Sequence, residues 1–127
     1  MKYTFKEISC YIPEIYGNKK RPESEQIKIY WRYPTAEEVR EIRKRTNPKV
    51  NFKDGKVVAD GIEIEIIVDD LLAVKKLVTT IENLEVNGQQ IKDGEILLKT
   101  PGMNGVVQEI STEILSQMDK VRTVSKN

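Results

Sequence analysis

The chain has 127 residues, 39% of them hydrophobic and 32% charged, with a net charge of +1, a single cysteine and no histidine. Without histidine, a Cys/His zinc site and a Ser-His or Cys-His nucleophile pair are excluded, and one cysteine excludes an intrachain disulfide. The near-neutral charge argues against strong global attraction to nucleic acid or to an acidic membrane.

A chain of this length can bury roughly two-thirds of its unfolded surface and needs no disulfide or metal to fold. Composition therefore points to a single domain over residues 1–127. It has no apolar run long enough for a transmembrane helix and no apolar N-terminal signal, so a cytoplasmic protein is expected. Carboxylate, lysine and tyrosine chemistry stays open, but the simpler reading is a protein that works by binding another macromolecule.

Residues 3–12 read as a strand. Tyr3 and Phe5 alternate in one phase and Ile8, Cys10 and Ile12 in the other, with the phase change at Lys6-Glu7. Cys10 is expected to be a small core residue. Residues 14–25 have the composition of a flexible, basic loop around Gly17-Asn18-Lys19-Lys20-Arg21-Pro22. Ile27, Ile29, Trp31 and Tyr33 then alternate as a half-buried strand, which should pair with the first as an antiparallel hairpin.

Thr35 and Glu38 form a capping-box pattern, predicting a helix from Ala36 to about Arg45 with a narrow apolar stripe of Ala36, Val39 and Ile42. Asp54-Gly55 predicts a tight hairpin turn, and Asp60-Gly61 a second turn signal. Ile62, Ile64, Ile66 and Val68 alternate as a strand, with Glu63 and Glu65 opposite. Asp69 is a good cap for a second helix to about Glu82, with Leu71, Val74, Val78 and Ile81 on its core face.

Val86-Asn87-Gly88-Gln89 reads as a turn, Lys92 to Leu98 as a short helical turn, and Thr100-Pro101-Gly102 as a break. Val107, Ile110, Ile114, Met118 and Val121 step by three and four, so a final helix should run from Met103 or Asn104 to about Lys120, with a frayed tail over 122–127. Strands come first and helices later. The predicted class is α+β, an antiparallel sheet from N-terminal and central hairpins packed by C-terminal helices.

Candidate chemistry is sparse. Glu63 and Glu65, followed by Asp69 and Asp70, could hold a hard cation or act as acid and base. Alternation with isoleucine and a capping role account for them without a site, so no catalytic, metal or cofactor residues are assigned. Lys19, Lys20, Arg40, Arg43 and Lys44 are candidate nucleic-acid contacts, the last three sharing one face of the predicted helix. Glu37 precedes Arg40 by three and Glu41 precedes Arg45 by four, so ion pairing along an exposed helix accounts for most of that pattern.

The stretch from Asp69 to Met118 resembles the tail assembly chaperones of long-tailed bacteriophages. The resemblance rests on Ile81-Glu82-Asn83-Leu84, Asn87-Gly88, Leu97-Leu98, Thr100-Pro101-Gly102 and the helix from Val106, with Trp31-Arg32-Tyr33-Pro34-Thr35-Ala36-Glu37-Glu38 similar to that family's entry from strand to helix. The family commonly has Trp where this chain has Ile81, and the resemblance does not extend to the hairpin from Val50 to Val68. The resemblance implies a non-enzymatic chaperone, without cofactor, that coats a tape measure protein in the host cytoplasm. Its candidate partner-binding residues are Val39, Ile42, Leu97 and Leu98, and homo-oligomerisation is left open. The alternative is a small nucleic-acid-binding protein using the basic loop and helix.

Overall fold

A computed structural model of the chain describes residue 2 and residues 7–45, 49–53, 56–63 and 66–125, and the side chains of residue 2 and of residues 7–44 and 68–118. In order the elements are β1 (Ile8–Tyr11), β2 (Lys28–Arg32), α1 (Ala36–Ile42), β3 (Arg43–Arg45), β4 (Lys49–Lys53), β5 (Lys56–Glu63) and β6 (Ile66–Val68). They continue with α2 (Asp70–Leu77), β7 (Val78–Glu82), β8 (Glu85–Val86), β9 (Gln89–Gln90), α3 (Gly94–Lys99) and α4 (Asn104–Ser125). The class is α+β, as expected.

The chain divides into two compact units, residues 1–34 with 70–127 and residues 35–69. A sequence reading of one undivided domain does not anticipate this partition. The second unit contains the hairpin that the family resemblance leaves unmatched.

The first unit is built on an antiparallel sheet in the order β1-β2-β7. Pairing of Ser9 with Trp31 and of Trp31 with Val78 puts these residues in one row, and Tyr11, Ile29 and Ile81 form the next. These rows face the core with α2, α3 and α4. Ile29, Trp31, Val74, Leu77, Leu97, Val106, Ile110 and Ile114 are all buried there. The Trp31 and Tyr33 rings lie 4.8 Å apart, tilted by 54°. Gly94 opens α3 against the carbonyl of Val74 so closely that a Cβ would collide with that backbone.

Three expectations are corrected in this unit. The second helix ends at Leu77, and Val78–Glu82 is strand β7. The run Val78-Thr79-Thr80-Ile81 is β-branched, which favours extended backbone, and β2 offers it a ladder. Leu71, assigned to the core face of that helix, is 53% exposed. Cys10 is exposed as well. The register that sends Ser9 inward beside Trp31 turns Ile8 and Cys10 to the other face, beside Arg32 and Tyr30. The Tyr3 and Phe5 phase lies outside the described residues.

The final helix extends to Ser125, past the end expected near Lys120. Asn87 and Gly88 both take positive φ, 51° and 80°, as a two-residue turn joining β8 and β9 requires. Asp93 caps α3, accepting from the Ile96 amide at 2.9 Å.

In the second unit the capping box is present. The Glu38 amide donates to Thr35 Oγ1 at 3.2 Å, and the Thr35 amide to Glu38 Oε1 at 3.0 Å. The helix nevertheless stops at Ile42, because Arg43–Arg45 pairs antiparallel with Ile66–Val68. The Asp69 amide closes the pair by donating to the Ile42 carbonyl at 2.7 Å. β4 and β5 form the expected hairpin, with Lys53 opposite Lys56 and the Asp54-Gly55 turn itself outside the described residues. Asp60-Gly61 makes no second turn. It lies within β5, where the register jumps from Val58 opposite Asn51 to Glu63 opposite Lys49. A Gly in a strand marks such an irregularity.

Candidate functional site

The most constrained surface feature is the segment between β1 and β2, which composition alone reads as a flexible loop. It contains two short 3-10 turns, Ile15–Lys20 and Glu23–Glu25. Asn18 is fully buried within it. Its amide nitrogen donates to the carbonyls of Pro13 at 2.9 Å and Ile27 at 3.1 Å, and its Oδ1 accepts from the Ile27 amide at 2.6 Å. One side chain thus ties the start of the loop to the entry of β2.

A second tie comes from α4. Glu109 accepts from the Tyr11 hydroxyl at 2.7 Å, the Glu14 amide at 2.8 Å and the Ile15 amide at 3.0 Å. Burial, the Glu109 hydrogen bond and the nearby carboxylates of Glu109, Glu113 and Glu14 push the Tyr11 hydroxyl well above its ordinary value, so it stays a neutral donor. Ile15 lies over Gly105, where an added Cβ would stand 2.5 Å from Ile15 Cδ1. A shallow groove of about 380 Å³ runs along this edge of α4, past Tyr11, Glu109, Thr112 and Glu113.

Between the two ties the backbone takes an unusual shape. Tyr16 has φ 60° and ψ 25°, and Gly17 follows at φ 65° and ψ 24°. The left-handed region is costly for a bulky side chain. Tyr16 is 56% exposed, so little burial offsets that cost. Lys19, Lys20 and Arg21 follow it, all exposed, with Lys19 paired to Glu14 at 3.1 Å.

A second groove, of about 310 Å³, lies between the β8–β9 turn and α3. Val86, Ile96 and Pro101 give it apolar walls, and Asn87, Gln89, Lys99 and Thr100 give it polar ones.

The residues singled out from the sequence are distributed differently. Of the candidate partner contacts, Ile42 and Leu97 are completely buried, which corrects their assignment to uncovered apolar surface. A short helix needs its apolar positions for its own packing. Val39 and Leu98 are half-buried. Of the candidate nucleic-acid contacts, Lys19, Lys20, Arg40 and Lys44 are exposed and Arg43 is half-buried. Arg43 and Lys44 are neighbours in strand β3, so they point to opposite faces and do not share a helix face with Arg40. The first two lie in one unit and the last three in the other. The side chains of Glu63 and Glu65 lie outside the described residues, and Asp69 and Asp70 are exposed.

Asn18, Glu109 and Tyr16 were not anticipated. Asn18 looks like any polar loop residue, and Glu109 sits beside the apolar stripe of α4 without disturbing it. The Gly after Tyr16 is a faint sign of left-handed backbone.

Among the described residues, no group of three His, Cys, Asp or Glu could hold a metal ion, and no helix is long and apolar enough to cross a membrane. No known family model matches the chain, and neither a curated protein nor a solved structure is measurably similar to it.

Proposed function

We propose that the chain is a non-enzymatic tail assembly chaperone of a phage or prophage, binding a helical segment of a tape measure protein in the host cytoplasm. The observation that carries this reading is the order of elements after residue 84. A Gly-containing turn at Asn87-Gly88, a short helix bearing Leu97-Leu98, a break at Thr100-Pro101-Gly102 and a long final helix follow one another as the resemblance implies. The β7 strand over Ile81-Glu82 departs from the helix end that the resemblance implies there.

With Ile42 and Leu97 buried, the apolar contact residues that remain in the first unit are Leu98 and the exposed Leu71, and Val39 remains in the second unit by itself. The test is binding of helical peptides tiled across the tape-measure-length reading frame nearest this gene. Apolar docking predicts affinity that changes little between low and moderate salt, and loss of binding in Leu98→Asp. Tight binding of DNA or RNA that falls steeply with salt, without peptide binding, overturns the proposal in favour of nucleic-acid recognition.

A further inference from the structure

Tyr16 is left-handed and more than half exposed, and among the described residues its side chain makes no hydrogen bond, ion pair or ring contact. The loop that carries it is tied along its length. Glu109 holds the Glu14 and Ile15 amides, and Asn18 joins Pro13 to Ile27. Gln26 donates to the carbonyls of Lys19 at 3.2 Å and Arg21 at 3.0 Å. Asn83, just after β7, donates to the carbonyls of Ser24 at 3.1 Å and Gln26 at 2.9 Å. A loop ordered in advance can bind without the entropy cost of ordering it.

The same loop carries Lys19, Lys20 and Arg21, and the chain keeps them near Tyr16. Lys20 is four residues on, so its Cα lies at most about 14 Å from that of Tyr16. The Arg21 amide donates to the Asn18 carbonyl at 3.1 Å, which closes a turn and brings Arg21 back beside Asn18. Glu14 takes up Lys19 at 3.1 Å, and Glu23 stands 3.8 Å from Lys28. Among the described residues Lys20 and Arg21 have no ion pair, and Glu25 has none either. The uncompensated charge of the loop is therefore positive, although the whole chain is near neutral. Pro22 is the one apolar side chain exposed between Gly17 and Gln26. Aromatic anchors of protein interfaces sit in well-packed, desolvated surroundings with apolar neighbours. An exposed ring beside unpaired cations, with little apolar surface about it, is instead suited to a base on the ring and phosphates on the charges.

We propose that this loop binds single-stranded nucleic acid, with one base stacked on Tyr16 and the adjoining phosphates on Lys20 and Arg21. The inference uses none of the residues assigned to the tape-measure contact and holds whether or not that reading does.

Fluorescence anisotropy of labelled oligo-dT and oligo-U with the full chain tests it. At least one is expected to bind at low salt, and the stronger of the two identifies DNA or RNA as the source. For two phosphates on a single strand, log K should fall against log salt with a slope of about −1.4. Tyr16→Phe keeps the ring and should bind as wild type does. Tyr16→Asn suits the left-handed backbone and so preserves the fold, but it removes the ring and should weaken binding about tenfold. Lys20→Gln combined with Arg21→Gln should weaken binding and flatten its salt dependence. Glu25→Gln removes an opposing carboxylate and should tighten it. Wild type that binds neither oligonucleotide at low salt overturns the proposal. So does affinity indifferent to Tyr16→Asn, or a duplex held as tightly as a single strand, since bases stacked in a duplex leave the ring no face to cover.

Discussion

The turn at Tyr16–Gly17 and the turn at Asn87–Gly88 each place two consecutive residues at positive φ, yet they are held there by different means. Asn-Gly adopts this shape by its own chemistry. Asn tolerates left-handed backbone and Gly has no Cβ to clash, so the turn forms wherever two short strands meet it. Tyr-Gly has no such preference at its first position. Its shape is imposed by Asn18 and Glu109, the latter more than ninety residues further along the chain. One turn is local and the other tertiary. The tertiary one should fail when its ties are cut, while the local one should not notice.

The largest effect should follow removal of Asn18. Asn18→Ala leaves the Pro13 and Ile27 carbonyls and the Ile27 amide without their partner in a fully buried site. Leaving such groups unsatisfied should cost about 3 kcal/mol in all, allowing for partial rescue by water. Urea denaturation reads this directly. An unchanged midpoint would mean the loop is not held by this side chain, and the contrast between the two turns would collapse.

That contrast also separates what the sequence discloses from what it conceals. The α4 stripe, the alternation of β2, the capping box at Thr35 and the Asn87-Gly88 turn are legible because each is a local pattern with a local cause. The early ends of α1 and α2 are not. Each helix stops because the next residues pair with a strand distant in sequence, Arg43–Arg45 with Ile66–Val68 and Val78–Glu82 with β2. Helical periodicity reads straight through Val78 and Ile81, since both are buried either way. The outward turn of Cys10 is likewise a matter of register with Trp31's strand. The candidate site was hidden for the same reason. Tyr16 stands out through the sign of one φ angle, in a segment tied by Asn18 and by a carboxylate on the last helix.

A smaller effect should appear in alkali. The folded state raises the Tyr11 hydroxyl above the ordinary 10.0, through burial first and then Glu109 and its acidic neighbours. A group whose folded value is raised contributes stability that is fully present below its unfolded value and is lost as pH climbs beyond it. Wild type should therefore lose stability from about pH 10 upward as the unfolded state releases the Tyr11 proton first. Tyr11→Phe cannot make that release, so its denaturation midpoint should fall less over the same interval. Parallel curves for the two proteins would remove Tyr11 from the tie. Glu14 and Ile15 would then hang on Glu109 through their amides alone.

The smallest effect is also the cleanest test, because it exchanges the two turns' chemistry. Left-handed backbone costs an ordinary L-residue roughly 1–2 kcal/mol, and Asn escapes much of this. Tyr16 is 56% exposed, so replacing its ring sacrifices limited packing. Tyr16→Asn should then stabilise the protein by about 0.5–1 kcal/mol. Tyr16→Gly should gain less, because Gly adds unfolded-state entropy worth roughly 0.5–1 kcal/mol against it. The reverse change, Asn87→Tyr, meets the same left-handed cost at a turn to which, among the described residues, no distant side chain is hydrogen-bonded. It should lose a similar amount, or release the β8–β9 pairing altogether, which amide exchange at Val86 and Gln89 would report. Opposite signs for the two swaps support the division between an intrinsic turn and an imposed one. If Tyr16→Asn destabilises instead, the ring contributes more to the fold than its exposure suggests, and the division between an imposed turn and an intrinsic one no longer holds at Tyr16.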